Sequence, residues 1–356
     1  MVFPIIMFDE IFLLILAGMI ALLFSWAFKT LPGEDWQIIA CLPGRKGPDG
    51  TWNGVNLTYY GFFNALAYVL AVVMFLLMMG ALGVTIAGAL SVVMPVLMIC
   101  MWASRFIARW VEKKPHTFSV GAASFVGIII APMVIVWVNL TLGRWWAFRI
   151  PVTQTMAAML IAYAVGEGMG RLACISFGCC YGKPLADGHP LMKKIFRRMN
   201  FVFRGKTKKI AYAGQLEGRA VIPVQALTAV LYTGTGLISF YLFLKNFPLL
   251  ALILTLLVTQ IWRFASEFLR ADYRGRGRIS AYQIMTLLAM VYILIMMPLI
   301  SESYHALPDL MMGIISLWDP GLIIFLTALG GVAFVYTGKS DVTCSSINIQ
   351  IIKKNI

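Results

Sequence analysis

Charge is scarce in this chain. Asp, Glu, Lys and Arg make up 12% of its 356 residues, about half the share usual in soluble domains. Acid is the scarcer sign, with 15 Asp and Glu against 29 Lys and Arg. Histidine is nearly absent: His116, His189 and His305 are the whole supply. The first lack excludes an ordinary water-soluble globule. The last leaves little material for imidazole chemistry. No alternating strand pattern is evident, which argues against a membrane β-barrel. No RNA- or DNA-binding motif is found, so nucleic acid is not an expected partner. No internal repeat is evident either, which argues against a transporter built from inverted halves.

What is abundant is apolar length. Hydrophobic residues reach 60%, and they come in long runs. A run of about 18 or more apolar residues reads as a membrane-spanning helix. Nine candidate spans lie near 11–28, 58–80, 86–108, 119–140, 152–172, 223–245, 247–269, 280–301 and 319–338. The opening MVFPIIMFDE has no positive n-region, so the first run reads as a span and not as a signal peptide. The fold class is therefore an all-α polytopic membrane protein of about nine transmembrane helices, with a polar basic loop domain. Three parts are expected. Residues 1–56 form an extra N-terminal helix and loop, 57–302 a membrane core that includes the basic loop 181–221, and 303–356 an extra C-terminal helix and tail. The stretch 29–56, rich in Gly and Pro, reads as irregular loop, and the tail after Tyr336 as weakly ordered.

The net charge is +14. Ten Lys and Arg fall between Lys183 and Arg219, against Asp187 and Glu217. Such a run is either a solvated anchor or a collector of anionic headgroups, each basic residue adding on the order of 1 kcal/mol at an anionic surface.

Charge at membrane depth needs a partner or a purpose. Glu167 and Arg171 stand at i, i+4 near the end of the fifth span, where one helix face presents both. Arg263, Glu267 and Arg270 at i, i+4, i+7 read as another single face. Arg105 and Arg109 lie in ASRFIARWV, and Gln225, Ser280 and Gln283 near the starts of spans. Helix-end arginines also snorkel, and acid–base pairs neutralise each other, so one arginine alone marks nothing. Two apolar helices that each carry an Arg–Glu pair suit a phosphate-bearing ligand, because the guanidinium fork binds phosphate bidentately and more strongly away from water. The membrane's own such ligand is a phospholipid headgroup.

The richest stretch is GEGMGRLACISFGCCYGKP, from Gly166 to Pro184. Its glycines permit close helix approach and broken backbone, and the stretch reads as the wall of a headgroup cavity. Cys174, Cys179 and Cys180 cluster within it, while Cys41, Cys100 and Cys344 are scattered. Cys-x4-Cys-Cys is not the paired spacing of a zinc site, so no metal and no cofactor is expected.

Taken in order, these motifs resemble the bacterial prolipoprotein diacylglyceryl transferase family over roughly residues 57–300. TYYGFF around Tyr60 is similar to the family's aromatic-Tyr-Gly opening, and ASRFIARWV to its Gly-x-Arg helix, with Arg105 at the arginine. GMGRLACISFGCCYGKP resembles the signature segment, with Arg171, Gly178 and Gly182 in place. IPVQAL keeps Pro223 and Gln225 of the His-Pro-x-Gln motif, RFASEFLRADYRG matches the Arg-x3-Glu-Phe-x-Arg motif, and ISAYQIMT resembles the Ser-x-x-Gln start of the last core helix, with Gln283.

The resemblance implies transfer of diacylglyceryl from phosphatidylglycerol to the cysteine thiol of a preprolipoprotein. It implies a multi-pass protein of the bacterial inner membrane whose partners are the membrane, phosphatidylglycerol and the preprolipoprotein. Arg171 and Arg263 would hold the phosphate and Glu267 would orient an arginine. Tyr60, Arg105, Gly178, Gln225, Arg270 and Gln283 would line the substrate site. The chain departs from the pattern at several points. Cys174 replaces the signature Asn, Cys179 the Glu and Lys183 the final Arg. Ala122 and Ile222 stand where the family has histidines, and Thr228 where an acid follows. The phosphate half is kept and the acid–base half is replaced. Cys179 then reads either as a replacement nucleophile or as a small packing residue.

The family places the large loop outside the cytoplasm. Lysine and arginine bias argues the reverse, and the family orientation is adopted here as the expectation. The alternative from another class is a non-catalytic phospholipid-binding protein of the same fold. A thiol oxidoreductase built on Cys179 and Cys180 is a further alternative.

Overall fold

A computed structural model of the chain describes residues 3–112, 120–187, 189–271, 279–300 and 306–348. Its helices are α1 (Phe3–Thr30), α2 (Tyr59–Ala81), α3 (Ile86–Glu112), α4 (Val120–Leu140), α5 (Leu142–Trp145), α6 (Val152–Phe177), α7 (Pro190–Phe196), α8 (Lys209–Tyr212), α9 (Val224–Leu244), α10 (Pro248–Ser266), α11 (Ala281–Ile300), α12 (Leu310–Ser316) and α13 (Pro320–Gly338). Its strands are β1 (Ile38–Lys46), β2 (Trp52–Thr58), β3 (Phe201–Val202), β4 (Ala220–Val221) and β5 (Lys339–Ile347). Nine of the helices are long and apolar enough to cross a membrane among the described residues. The chain is an all-α polytopic membrane protein with two small sheets at its loops.

The helix α6 is central. Of its most apolar window 67% is buried, against 11% for α13. Small residues earn it that place. Gly166 faces Ala67 and Ala71 of α2, and Gly168 faces Ala229 and Thr233 of α9, so backbones approach closely where lipid offers no hydrophobic drive of its own. Packed against α2, α9 and α10, α6 is held on three sides.

The helix ends sort into two faces. On one, Gly182 bridges to Arg270 and Pro184 to Val221, which joins the exits of α6 and α10 to the entry of α9. On the other, Lys245 at the end of α9 pairs with Asp9 of α1 at 3.6 Å and with Glu10 at 3.4 Å, and the Asp309 amide donates to Ala81 at 2.8 Å. The basic loop lies on the first face, called the loop face below. It folds into a compact layer: α8 and the β3–β4 ribbon enclose Phe201, Phe203, Ile210 and Val221, and α7 packs Phe196 with Ile222 and Val224.

The ends of the chain differ from the expectation. Residues 38–58 form an antiparallel hairpin, β1 with β2, and β5 adds to β2 as a third strand. Thus the tail after Tyr336 is ordered to residue 348 at least. The register pairs Trp52 with Ile347 and Val55 with Cys344, a pairing between segments some 290 residues apart that no local pattern announces. Asn56 binds Ser345 and Thr343 through its side chain. The last span meets the first core helix at bare backbone: a Cβ on Gly61 would fall 2.2 Å from the Cα of Gly338. The terminal segments are therefore packed into the core helices.

Candidate functional site

Glu167 and Arg171 lie one turn apart on α6 and pair directly, Arg171 Nη2 donating to Glu167 Oε1. Arg263, on the last turn of α10, reaches the same oxygen: its Nη2 lies 3.4 Å from Glu167 Oε1, and its Nη1 donates to Ser124 Oγ at 3.2 Å. The three side chains are 8%, 12% and 9% exposed for Glu167, Arg171 and Arg263. One carboxylate thus serves two buried guanidiniums, and the trio carries a net charge of +1. Arg171 Nε is buried with no hydrogen-bond partner among the described residues. A buried donor left without an acceptor costs about 1–3 kcal/mol, so the cluster is better suited to an anion than to emptiness.

Arg263, Glu267 and Arg270 do not share one helical face. The α-helix ends at Ser266, and Glu267–Leu269 form a tighter 3-10 turn. Arg270 is extended, with φ −85° and ψ 150°. Arg263 therefore turns to Glu167, while Glu267 and Arg270 form their own pair at 3.9 Å. The change in winding lets the exit of α10 stitch onto the cysteine loop. The Lys183 amide donates to Leu269 at 2.9 Å and the Ala271 amide to Tyr181 at 3.1 Å.

That loop begins at Gly178, which ends α6 in the left-handed region at φ 69°. Its amide and that of Cys179 return to the last turn of the helix, the usual glycine termination. Gln225 is buried and its Nε2 donates to the Cys179 carbonyl at 2.8 Å, so it fixes the loop from α9. The Tyr60 ring packs on Phe177 with centroids 5.5 Å apart. The reversal at Gly178 brings the three cysteines of the segment together, with each Sγ within 4.8 Å of the others.

Two sequence candidates fall elsewhere. Arg105 is exposed on α3, with its guanidinium 5.5 Å from the centre of the Tyr336 ring of α13, and does not enter the buried cluster. Gln283 folds back on its own helix start. Its Oε1 accepts from the Ser280 amide at 2.8 Å and its Nε2 donates to the Phe264 carbonyl at 3.1 Å. It braces α11 against α10, behind Arg263.

The sequence pairs Glu167 with Arg171 and gives the orienting role to Glu267; that Glu167 is also shared by Arg263 emerges only in the structure. The i, i+4 spacing to Arg171 was the available signal. Ser124, and the tyrosines Tyr163 and Tyr232 beside Arg263, had none, since tertiary packing alone delivers them. Ala122 and Ile222 are buried. Of the histidines, His189 caps α7 by accepting from the Leu191 amide at 3.3 Å, and His116 and His305 lie outside the described residues.

The basic run divides. Lys193, Lys194, Arg197, Arg198, Arg204 and Lys206 are exposed on the loop face. Lys208 is fully buried, and its Nζ donates to the Ser176 carbonyl at 2.6 Å and the Leu31 carbonyl at 3.2 Å. It caps the ends of α6 and α1 together, a favourable place for a cation. Burial still pushes its ammonium down to about 8, with Glu34 opposing.

No protein-family model, no curated protein and no solved structure matches this chain.

Proposed function

We propose that the chain is a membrane transferase that moves a diacylglyceryl group from phosphatidylglycerol to the cysteine thiol of a prolipoprotein or a related acceptor. The observation that carries this reading is the buried Arg171–Glu167–Arg263 trio, with one positive charge in excess and Arg171 Nε lacking a protein acceptor. A phosphodiester monoanion matches that charge and offers that acceptor. The exposed lysines and arginines of the loop face gather anionic lipid at the same end of the bundle.

The chemistry then follows. The acceptor thiol loses its proton, since the thiolate is the nucleophile, and over the whole reaction that proton departs with the glycerol phosphate. The thiolate sulfur attacks the glyceryl carbon that bears the phosphate. A C–S bond forms, the C–O bond breaks, and glycerol phosphate leaves with the electron pair. Arg171 and Arg263 stabilise the charge that grows on the leaving phosphate, from buried positions where such donors act most strongly. Glu167 holds both guanidiniums in place between turnovers. Gln225 and the Gly182–Arg270 bridge set the loop beside them.

A non-catalytic phospholipid-binding protein is favoured by one observation. The family's histidine positions hold buried Ala122 and Ile222, which leaves no imidazole base at either.

The test is a transfer assay in phosphatidylglycerol vesicles, with the lipid labelled in its diacylglyceryl glycerol and a lipobox-type cysteine peptide as acceptor. Label should move to the peptide in wild type. Arg171→Ala and Arg263→Ala should each lower the rate by roughly 100-fold or more, the usual loss for one preorganised charge-stabilising donor. Near-normal turnover in either variant removes the phosphate clamp. Lipid bound without any transfer supports the binding-only reading. Label on the protein only when Cys179 is present would mark a covalent intermediate.

A further inference from the structure

The spacing Cys-x4-Cys-Cys is unlike a metal motif, yet the fold makes a three-sulfur site of it. Cys174 stands on the last turn of α6, and the left-handed residue Gly178 reverses the chain. Cys180 is itself left-handed, at φ 56°. For a residue with a Cβ that conformation is uncommon and persists where the surroundings enforce it. Here the Gln225 bond to the Cys179 carbonyl and the pairing of Tyr181, Gly182 and Lys183 with the exit of α10 do so. The result is three sulfurs mutually within 4.8 Å, with Cys179 buried and Cys174 and Cys180 partly open.

Zinc–thiolate bonds of about 2.3 Å at tetrahedral angles place sulfurs about 3.8 Å apart. A contraction of about 1 Å at most would close the site. Thiolates select soft and borderline d10 cations over magnesium or calcium. Charge is consistent too. Three thiols that bind a divalent d10 ion release three protons and leave a complex of net charge −1. Cys174 and Cys180 lie within electrostatic reach of the Arg171 guanidinium, whose positive charge favours a negative complex beside it. Among the described residues no His, Asp or Glu joins the sulfurs as a fourth ligand.

We propose that Cys174, Cys179 and Cys180 form a three-thiolate site for a zinc-class divalent cation, with its fourth coordination position open toward the arginine cluster. Three protein ligands and one open position are the arrangement of catalytic zinc sites, in contrast to closed structural ones. Resting on the transferase reading, the open position would take the acceptor thiol. A thiol that coordinates the metal gives up its proton outright. The site would therefore supply the thiolate that this chain otherwise has no histidine to make. Cation binding itself does not depend on that reading.

The experiment uses the full chain, purified under reducing conditions, stripped with a chelator and titrated with Co(II). One Co(II) per chain is expected, with a strong sulfur-to-metal charge-transfer band that equimolar Zn(II) abolishes. Cys174→Ser and Cys180→Ser should each weaken Co(II) binding by at least ~10-fold, while Cys41→Ser and Cys344→Ser leave it unchanged. A monodisperse elution profile and an unaltered thermal midpoint separate ligand loss from misfolding. Absence of the charge-transfer band in folded wild type, or stoichiometric binding that survives Cys174→Ser, overturns the site. Transfer is read separately. If the band appears and no label moves, the site stands and the transferase reading falls. If chelator-stripped protein transfers at the full rate, the acceptor role of the metal falls.

Discussion

Glu167 is the residue on which the buried cluster turns. Two guanidiniums at membrane depth repel each other unless something between them is negative. Glu167 Oε1 is that group, bonded to Arg171 and 3.4 Å from Arg263 Nη2. Removing one partner of a buried ion pair costs about 3–5 kcal/mol, because the other charges stay buried and unpaired. Glu167→Gln should therefore lower the thermal midpoint of the detergent-solubilised protein strongly. Glu267→Gln, at a pair 3.9 Å long, should do so less. A ranking in the reverse order would show that Glu267 is the anchoring acid after all. The candidate residues were legible in the sequence because charge inside an apolar run stands out. The Glu167–Arg171 pair was legible too, from its i, i+4 spacing; the approach of Arg263 to Glu167 was not, because the helix-to-3-10 change at Ser266 redirects Arg270 and leaves Arg263 to α6.

At the scale of elements, the basic loop is pinned to the bundle by a lysine and not by its apolar layer alone. Lys208 joins the ends of α1 and α6 through two carbonyls. Its ammonium is held down at about 8 against a usual 10.5. Below about pH 8 both folded and unfolded states carry the proton, and the folded state bears the cost of burying it. Between about 8 and 10.5 the unfolded chain binds more protons, so stability rises with pH across that window. The Lys208 contribution is complete above 10.5 and lost as pH falls through 8. The difference in thermal midpoint between wild type and Lys208→Met should therefore change across pH 8 to 10.5 in favour of wild type. A difference that stays flat across the window would mean that Lys208 keeps an ordinary ammonium. The loop's composition announced a basic surface, and its buried lysine was invisible among nine other cations.

For the whole molecule, the two faces differ in charge as the sequence already implies. Among the described residues, Arg144, Arg149 and Lys245 are the cations near the face opposite the loops, and Lys245 is paired with Asp9 and Glu10. The loop face carries Lys29, Arg45, Lys46, Arg270 and the basic run from Lys183 to Arg219. Cytoplasmic loops carry the excess of Lys and Arg. That rule predicts the loop face on the cytoplasmic side, against the orientation that the motif resemblance implies. A protease site inserted in the exposed β1–β2 turn, at residues 47–50, should be protected in spheroplasts and cut in inverted vesicles. Cutting in spheroplasts would put the site where exported thiols arrive, and would favour a prolipoprotein acceptor. Protection would favour a related acceptor on the inner side.

The sequence by itself determined the fold class and the supply of chemistry. Long apolar runs can satisfy their backbone in lipid only as helices, and the few charges within them had to be paired or purposeful. Beyond the i, i+4 pair Glu167–Arg171, only the tertiary structure decided which charges meet. Glu167 reaches Arg263 across the contact of α6 with α10, β5 finds β2 across nearly the whole chain, and Cys174, Cys179 and Cys180 converge where the backbone turns left-handed at Gly178 and Cys180. These contacts depend on backbone reversal and on helix approach in three dimensions. The first two join residues distant in sequence, and the third needs a left-handed reversal that the Cys-x4-Cys-Cys spacing does not announce.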